Sequence, residues 1–305
     1  AKARECIATS GVDVLVAPFS WSELMFFPAL LQGTGIPFLV SEHSHPERIN
    51  SERWNRLEHE ACLSAADSIH VLSERFLPLY PDVLRARITP IPNTAALDIP
   101  HTPRLHTPNA SIKRLLAAGR FIDDIKQYSL LIRAFAGVAA KFPDWRLTLC
   151  GDGPDKKSYQ KLIAELGLEQ RVSLPGMVDD MAAYYQKSEL FCMPSRYEGF
   201  GLAALEAQHY GLPVVGFAEC TGVNEIIVHG ENGLLAESMT VEALAESLAV
   251  LMADADLRSR MAARGMELLA RYSRERVFDA WEGLLAVYTR ARGDARLSFV
   301  ALEAP

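Results

Sequence analysis

Residues Pro194–Gly211 read PSRYEGFGLAALEAQHYG, directly after the apolar run LFCM at Leu190–Met193. An apolar strand, a Gly-flanked turn and an amphipathic helix form the unit from which open parallel sheets are built. Ligands of such sheets bind beyond the carboxyl ends of the strands. A helix beginning near Gly201 leaves its first amides unpaired and slightly positive. Gly199, Phe200, Gly201 and Leu202 can therefore offer backbone donors to a diphosphate or a sugar hydroxyl. Glu198 and Glu206 are eight residues apart. On one helix that spacing is about 12 Å, too far for the carboxylate pair of a retaining glycoside hydrolase at about 5 to 5.5 Å. The two suit hydroxyl binding; the plainer alternative is a loop charge and a helix acid favoured by the macrodipole.

The same alternation extends in both directions. Upstream, strands are expected at Asp13–Ala17, Pro37–Ser41 and Ser68–Leu72, with helices over Trp21–Leu31 and Glu52–Ala65. Further strands fall at Arg114–Ala118, Arg146–Cys150, Val172–Leu174, Leu190–Met193 and Val214–Phe217, and Val241–Arg292 is almost wholly helical in pattern, with Trp281 packing on a core. Six of the seventeen prolines (Pro81, Pro90, Pro92, Pro100, Pro103, Pro108) crowd into residues 81–108, which reads as a linker. The predicted organisation is an α/β chain of two units with parallel sheets. A first domain spans residues 1–107 including the linker, a second domain spans 108–285, and a helix end and tail span 286–305.

Composition fits that division. At roughly 150 residues per domain, 305 residues make about two domains. A formal charge of −7 argues against a nucleic-acid partner held by a basic surface. The most apolar early stretch, Trp21–Val40, is interrupted by Glu23, Pro28, Gln32, Gly33, Gly35 and Pro37, so no membrane span is expected. Five scattered cysteines (Cys6, Cys62, Cys150, Cys192, Cys220) form no C-x-x-C pair and suit reduced core thiols in a cytoplasm. The chain opens at Ala1 with no signal-peptide pattern.

A second constellation is GRFIDDIK at Gly119–Lys126. Arg120 follows a strand end and Lys126 opens a helix, so a guanidinium fork and a mobile ammonium can together neutralise a diphosphate. The alternative pairs both with Asp123 and Asp124 as solvated surface charges. His43 and His45 invite a metal reading, because H-x-H on a strand points both rings one way. No third ligand at metal spacing accompanies them, so no metal is expected. His59, His70, His101, His106, His209 and His229 read as surface or capping residues.

From Asp67 to about Leu235 seven motifs stand in order: VLSERF (Val71–Phe76), IPN (Ile91–Asn93), GRFIDDIK, GDGP (Gly151–Pro154), LPGMV (Leu174–Val178), EGFGLAALE (Glu198–Glu206) and GENGLL (Gly230–Leu235). In that order they resemble the retaining glycosyltransferases of family 4, whose GT-B architecture sets two Rossmann-like domains face to face. By position, the resemblance implies that Arg120 and Lys126 hold the donor diphosphate, Glu206 binds ribose hydroxyls, and Glu198 is the sugar-side carboxylate. It implies backbone donors for the donor sugar and phosphate from Gly199 to Leu202, nucleobase contact at Met177 and Val178, and a floor shaped by Gly151 and Gly153. His43, in SEHSH, matches a histidine near the donor sugar across the cleft. Relatives open with a strand and a Gly-rich loop facing the acceptor. This chain begins around their third strand, so its first domain is expected to be incomplete.

The resemblance implies a retaining transferase that moves a sugar from a nucleotide diphosphate sugar to an acceptor hydroxyl. A glycan or lipid-linked glycan acceptor is expected, as is a role in polysaccharide or lipid-linked glycan assembly. No cofactor or metal is implied. The setting it implies is cytoplasmic, with peripheral contact at the inner membrane surface. Two rivals remain: a non-hydrolysing nucleotide-sugar epimerase of the same fold, and a non-catalytic nucleotide-sugar-binding fragment.

Overall fold

The computed structural model describes residues 2–9, 11–18, 26–48, 56–94 and 112–289. The first of its two sheets holds β1 (Leu15–Pro18), β2 (Phe38–Ser41), β3 (Ser68–Val71) and β4 (Ile88–Pro90), side by side in that order. The second holds β5 (Lys113–Ala118), β6 (Trp145–Cys150), β7 (Val172–Gly176), β8 (Leu190–Cys192), β9 (Val214–Phe217) and β10 (Gly233–Ala236), in the spatial order β10-β9-β8-β5-β6-β7. All the pairings between these strands are parallel. β2 and β9 are buried along their whole length, as expected of parallel strands covered by helices on both faces. The helix Tyr128–Ala139 buries Tyr128, Leu131, Ile132, Phe135, Val138 and Ala139, the three-and-four spacing of one helical face.

The predicted strands lie within two residues of those observed. The predicted helices correspond to Phe26–Leu31 and Arg56–Ser64, with residues 21–25 and 52–55 outside the described residues. Two strands escape the sequence reading. β4 lies inside the stretch read as a linker, next to a helical turn at Asp82–Arg85. Its prolines are compatible with order because β4 is an edge strand ending at Pro90, and an edge tolerates a missing donor. β10, the opposite edge of the second sheet, falls within the GENGLL motif. Pro100, Pro103, Pro108, His101, His106 and the tail after Thr289 lie outside the described residues.

The last helix, Arg274–Thr289, follows the second sheet in sequence but packs on the first. Val277, Leu284 and Leu285 share a buried cluster with Leu39 of β2 and Ile91, and the Trp281 ring lies 4.4 Å from that of His70. Thr94 Oγ donates to the Tyr272 carbonyl at 3.0 Å where this helix is approached. The chain thus crosses back and ties the two sheets together. No helix among the described residues is long and apolar enough to cross a membrane.

Candidate active site between the two sheets

In the second sheet β5 lies between β6 and β8, so the strand order reverses between β5 and β8. Loops leaving the carboxyl ends of two such strands turn to opposite sides and open a crevice between them. Here they are GRFIDDIK after β5 and PSRYEGFG after β8, the two stretches singled out in the sequence. The loop after β2 faces them from the first sheet. The three loops line a cleft of about 230 Å³ whose walls include His43, His45, Arg48, Arg120, Lys126, Tyr197, Glu198 and Gly199.

Glycine lets the loops approach. A Cβ on Gly151 would lie 1.9 Å from the Gly119 carbonyl oxygen, and one on Gly153 2.4 Å from that of Phe121. Both have positive φ, so the GDGP turn fits beneath the loop carrying Arg120 only as glycine. Gly201, at φ +73, ends the second loop and caps the helix Leu202–His209, close to the expected start. Phe200 turns its ring inward against Tyr272 at 5.4 Å, leaving its backbone to the loop, whereas Leu202 is exposed.

Lys126 Nζ lies 2.5 Å from Glu198 Oε1, and Ser195 Oγ donates to the same oxygen at 2.7 Å. Lys126 therefore pairs across the cleft, not with Asp123 or Asp124 as the surface-charge alternative held. Asp123 instead accepts from the Ser129 amide at 2.9 Å and the Tyr159 hydroxyl at 3.0 Å, fixing the start of the next helix. Both of these contacts fall on Oε1 of Glu198. Arg120 is exposed. Burial, with the Glu198 carboxylate close by, pushes the Cys220 thiol up to about 12, so this neighbour stays protonated and is no nucleophile.

On the first-sheet side, His43 and His45 lie past the end of β2, not on it. The strand alternation behind the H-x-H metal reading therefore does not apply. His43 is exposed and its Nε2 is 2.9 Å from Ser41 Oγ. His45 is buried, accepts from the Glu47 amide at Nδ1 (3.3 Å), and directs Nε2 to Thr221 Oγ in the opposite wall at 2.6 Å. Burial holds the His45 ring down at about 4. A second link joins Ser73 Oγ to Glu225 Oε2 at 2.6 Å.

Other expected site residues stand apart from the cleft lining. Glu206 lies one to two turns into its helix, where the buried Tyr185 hydroxyl donates to its Oε2 at 2.8 Å; burial and that carboxylate raise Tyr185 well above the usual tyrosine range. Met177 is 79% exposed beyond β7, and Val178 packs partly on the core. Three histidines read as surface or capping groups are buried. His59 Nε2 donates to the buried Glu42 carboxylate at 2.6 Å, His70 Nε2 lies 2.7 Å from the Ile91 carbonyl, and His209 lies edge-on to Tyr210. His229 does cap: its Nδ1 accepts from the Leu235 amide at 3.0 Å. Among the cysteines, Cys6 is exposed and the other four are buried.

Sequence reasoning missed Ser195, Thr221, Tyr197 and Arg48. Ser195 and Tyr197 stood inside the quoted PSRYEGFG motif, but Thr221 and Arg48 carried no local signal.

A 287-residue stretch is 26% identical to an uncharacterized glycosyltransferase of Haemophilus influenzae, covering 93% of this chain and 79% of that one. A 184-residue stretch is 35% identical to the lipopolysaccharide core biosynthesis glycosyltransferase LpsE of Rhizobium meliloti, covering 60% of this chain and about half (52%) of the relative. The fold matches that of HepE from Anabaena, solved in complex with UDP-glucose, with a TM-score of 0.76 at 19% identity over 93% of this chain and 82% of HepE. The family description "Glycosyl transferases group 1" matches residues 104–267, more than half of the chain and all of the β5 and β8 loops, so this protein is a member of that family with the GT-B fold.

Proposed function

We propose that the protein transfers a sugar from a nucleoside diphosphate sugar to an acceptor hydroxyl with retention of anomeric configuration, in glycan or lipid-linked glycan assembly. The observation that carries this reading is the convergence of Arg120, Lys126, Glu198, Gly199 and His43 on one cleft between the carboxyl ends of two parallel sheets. As the bond from the anomeric carbon to the diphosphate breaks, negative charge grows on the departing phosphate. The Arg120 fork and the Lys126 ammonium meet it there, supplying the neutralisation that a metal ion supplies elsewhere. Glu198 holds a sugar hydroxyl, and the acceptor hydroxyl adds to the face the diphosphate leaves, giving its proton to the leaving phosphate. Glu206 takes the ribose hydroxyls, Met177 and Val178 border the base, and Gly199 to Leu202 present backbone amides.

The name of LpsE places that relative in lipopolysaccharide core biosynthesis, and HepE, of the same fold, was solved with UDP-glucose. Both support the donor class and setting. A cytoplasmic site with peripheral contact at the membrane face is part of the proposal. A thermal-shift panel of nucleotides and nucleotide sugars tests the donor, since binding to the folded state raises the midpoint by mass action. Product NMR from the selected donor then reads the anomeric configuration. No shift with any nucleotide, or an inverted product, would reject the reading, and donor epimerised without acceptor would favour the epimerase.

A further inference from the structure

Behind His43 runs a line of polar side chains whose hydrogen bonds can point only one way. The Ile91 carbonyl can only accept, so His70 Nε2, 2.7 Å from it, carries a hydrogen. Burial holds His70 down at about 4, so its ring is neutral near pH 7 and Nδ1 bears a lone pair. Ser41 Oγ lies 2.7 Å from that Nδ1 and therefore donates to it. With its single hydrogen spent, Ser41 can only accept from His43 Nε2 at 2.9 Å. His70 is 1% exposed, with Trp281 of the last helix against its ring, so water does not compete for its bonds to Ile91 and Ser41.

We propose that Ser41 and His70 are positioning residues that hold His43 as its Nε2–H tautomer, so that Nδ1 meets the donor sugar as a hydrogen-bond acceptor. This rests on the transfer reading above and extends it to specificity: the sugar must present a hydroxyl hydrogen to that wall. A carboxylate or an ether oxygen there, having no hydrogen to give, would face a lone pair and be disfavoured. The direction of the relay is set three residues deep, by a backbone carbonyl that cannot reverse.

Ring-nitrogen NMR on the full chain labelled with ¹⁵N-histidine tests this, with His43 assigned by its loss in His43→Asn. At pH 7.5 we expect hydrogen on Nε2 and none on Nδ1 of His43. Ser41→Ala should yield a mixture of tautomers, and Ser41→Thr should restore the single form. Calorimetry gives a second readout: the affinity gained by the sugar-bearing donor over free UDP, GDP or ADP should fall about tenfold in Ser41→Ala, with the free nucleotide bound as before. A hydrogen on Nδ1 in the unaltered chain, or an unchanged tautomer and sugar increment in Ser41→Ala, overturns the proposal. Failure of every nucleotide to bind would reject the transfer reading alone, because the NMR assignment needs no substrate.

Discussion

Gly199 and His43 meet backbone to backbone across the two sheets: a Cβ on Gly199 would lie 2.2 Å from the His43 carbonyl oxygen and 3.0 Å from its carbon. The neighbour is main chain and cannot swing aside. Gly199→Ala should push the two walls apart while sparing the loop after β5. Because a misplacement of about 1 Å can cost about 10²-fold in rate, transfer should fall by roughly that factor while free nucleoside diphosphate binds nearly as before. Steady-state rates beside calorimetric affinities check this, and equal losses in both would place the damage in the second sheet itself.

Arg120→Ala and Lys126→Ala should each lower kcat more than they raise KM, by about 10²-fold, if the two cations meet charge that develops on the leaving diphosphate. Lys126→Ala also strips the half-buried Glu198 of its cation, leaving the Ser195 hydroxyl as the donor to that oxygen. Kinetics with saturating donor separate the effects. A raised KM at constant kcat would assign the pair to ground-state binding.

Glu206→Gln should weaken nucleotide-sugar binding by about 1 to 3 kcal/mol, the worth of a hydrogen bond to a charged group. The amide oxygen still accepts from the Tyr185 hydroxyl, so the thermal midpoint without ligand should stay unchanged. An unaltered calorimetric affinity would return Glu206 to an ordinary helix position.

Stability should decline on acidification between pH 6.5 and about 4, because burial lowers His45 and His70 from 6.5 to about 4. In this window the unfolded chain takes up protons that the folded rings refuse. The stabilisation is thus complete above pH 6.5 and is lost as pH falls to about 4, at up to about 1.4 kcal/mol per pH unit for each ring. Thermal midpoints across that range should flatten in His45→Gln, and parallel profiles for the two proteins would contradict the assignment.

The strands, the turns and the site loops were legible in the sequence because each depends on the chain close by. Buried parallel strands need apolar runs such as FLVS and VVGF, and GDGP and EGFG place glycine where backbone must lie against backbone. β4 was hidden because proline at an edge strand looks like proline in a linker. Seven short motifs in order sufficed to point to the family, yet they said nothing of which side chains touch. That Lys126 faces Glu198, that His45 reaches Thr221 at a separation of 176 residues, and that Ser41 and His70 stand behind His43 follow from the strand-order reversal at β5 and β8 and from the last helix crossing back over the first sheet. A serine or threonine carries no periodic signature of its partner. Its role is created by packing that brings distant backbone together, and only the tertiary structure supplies that.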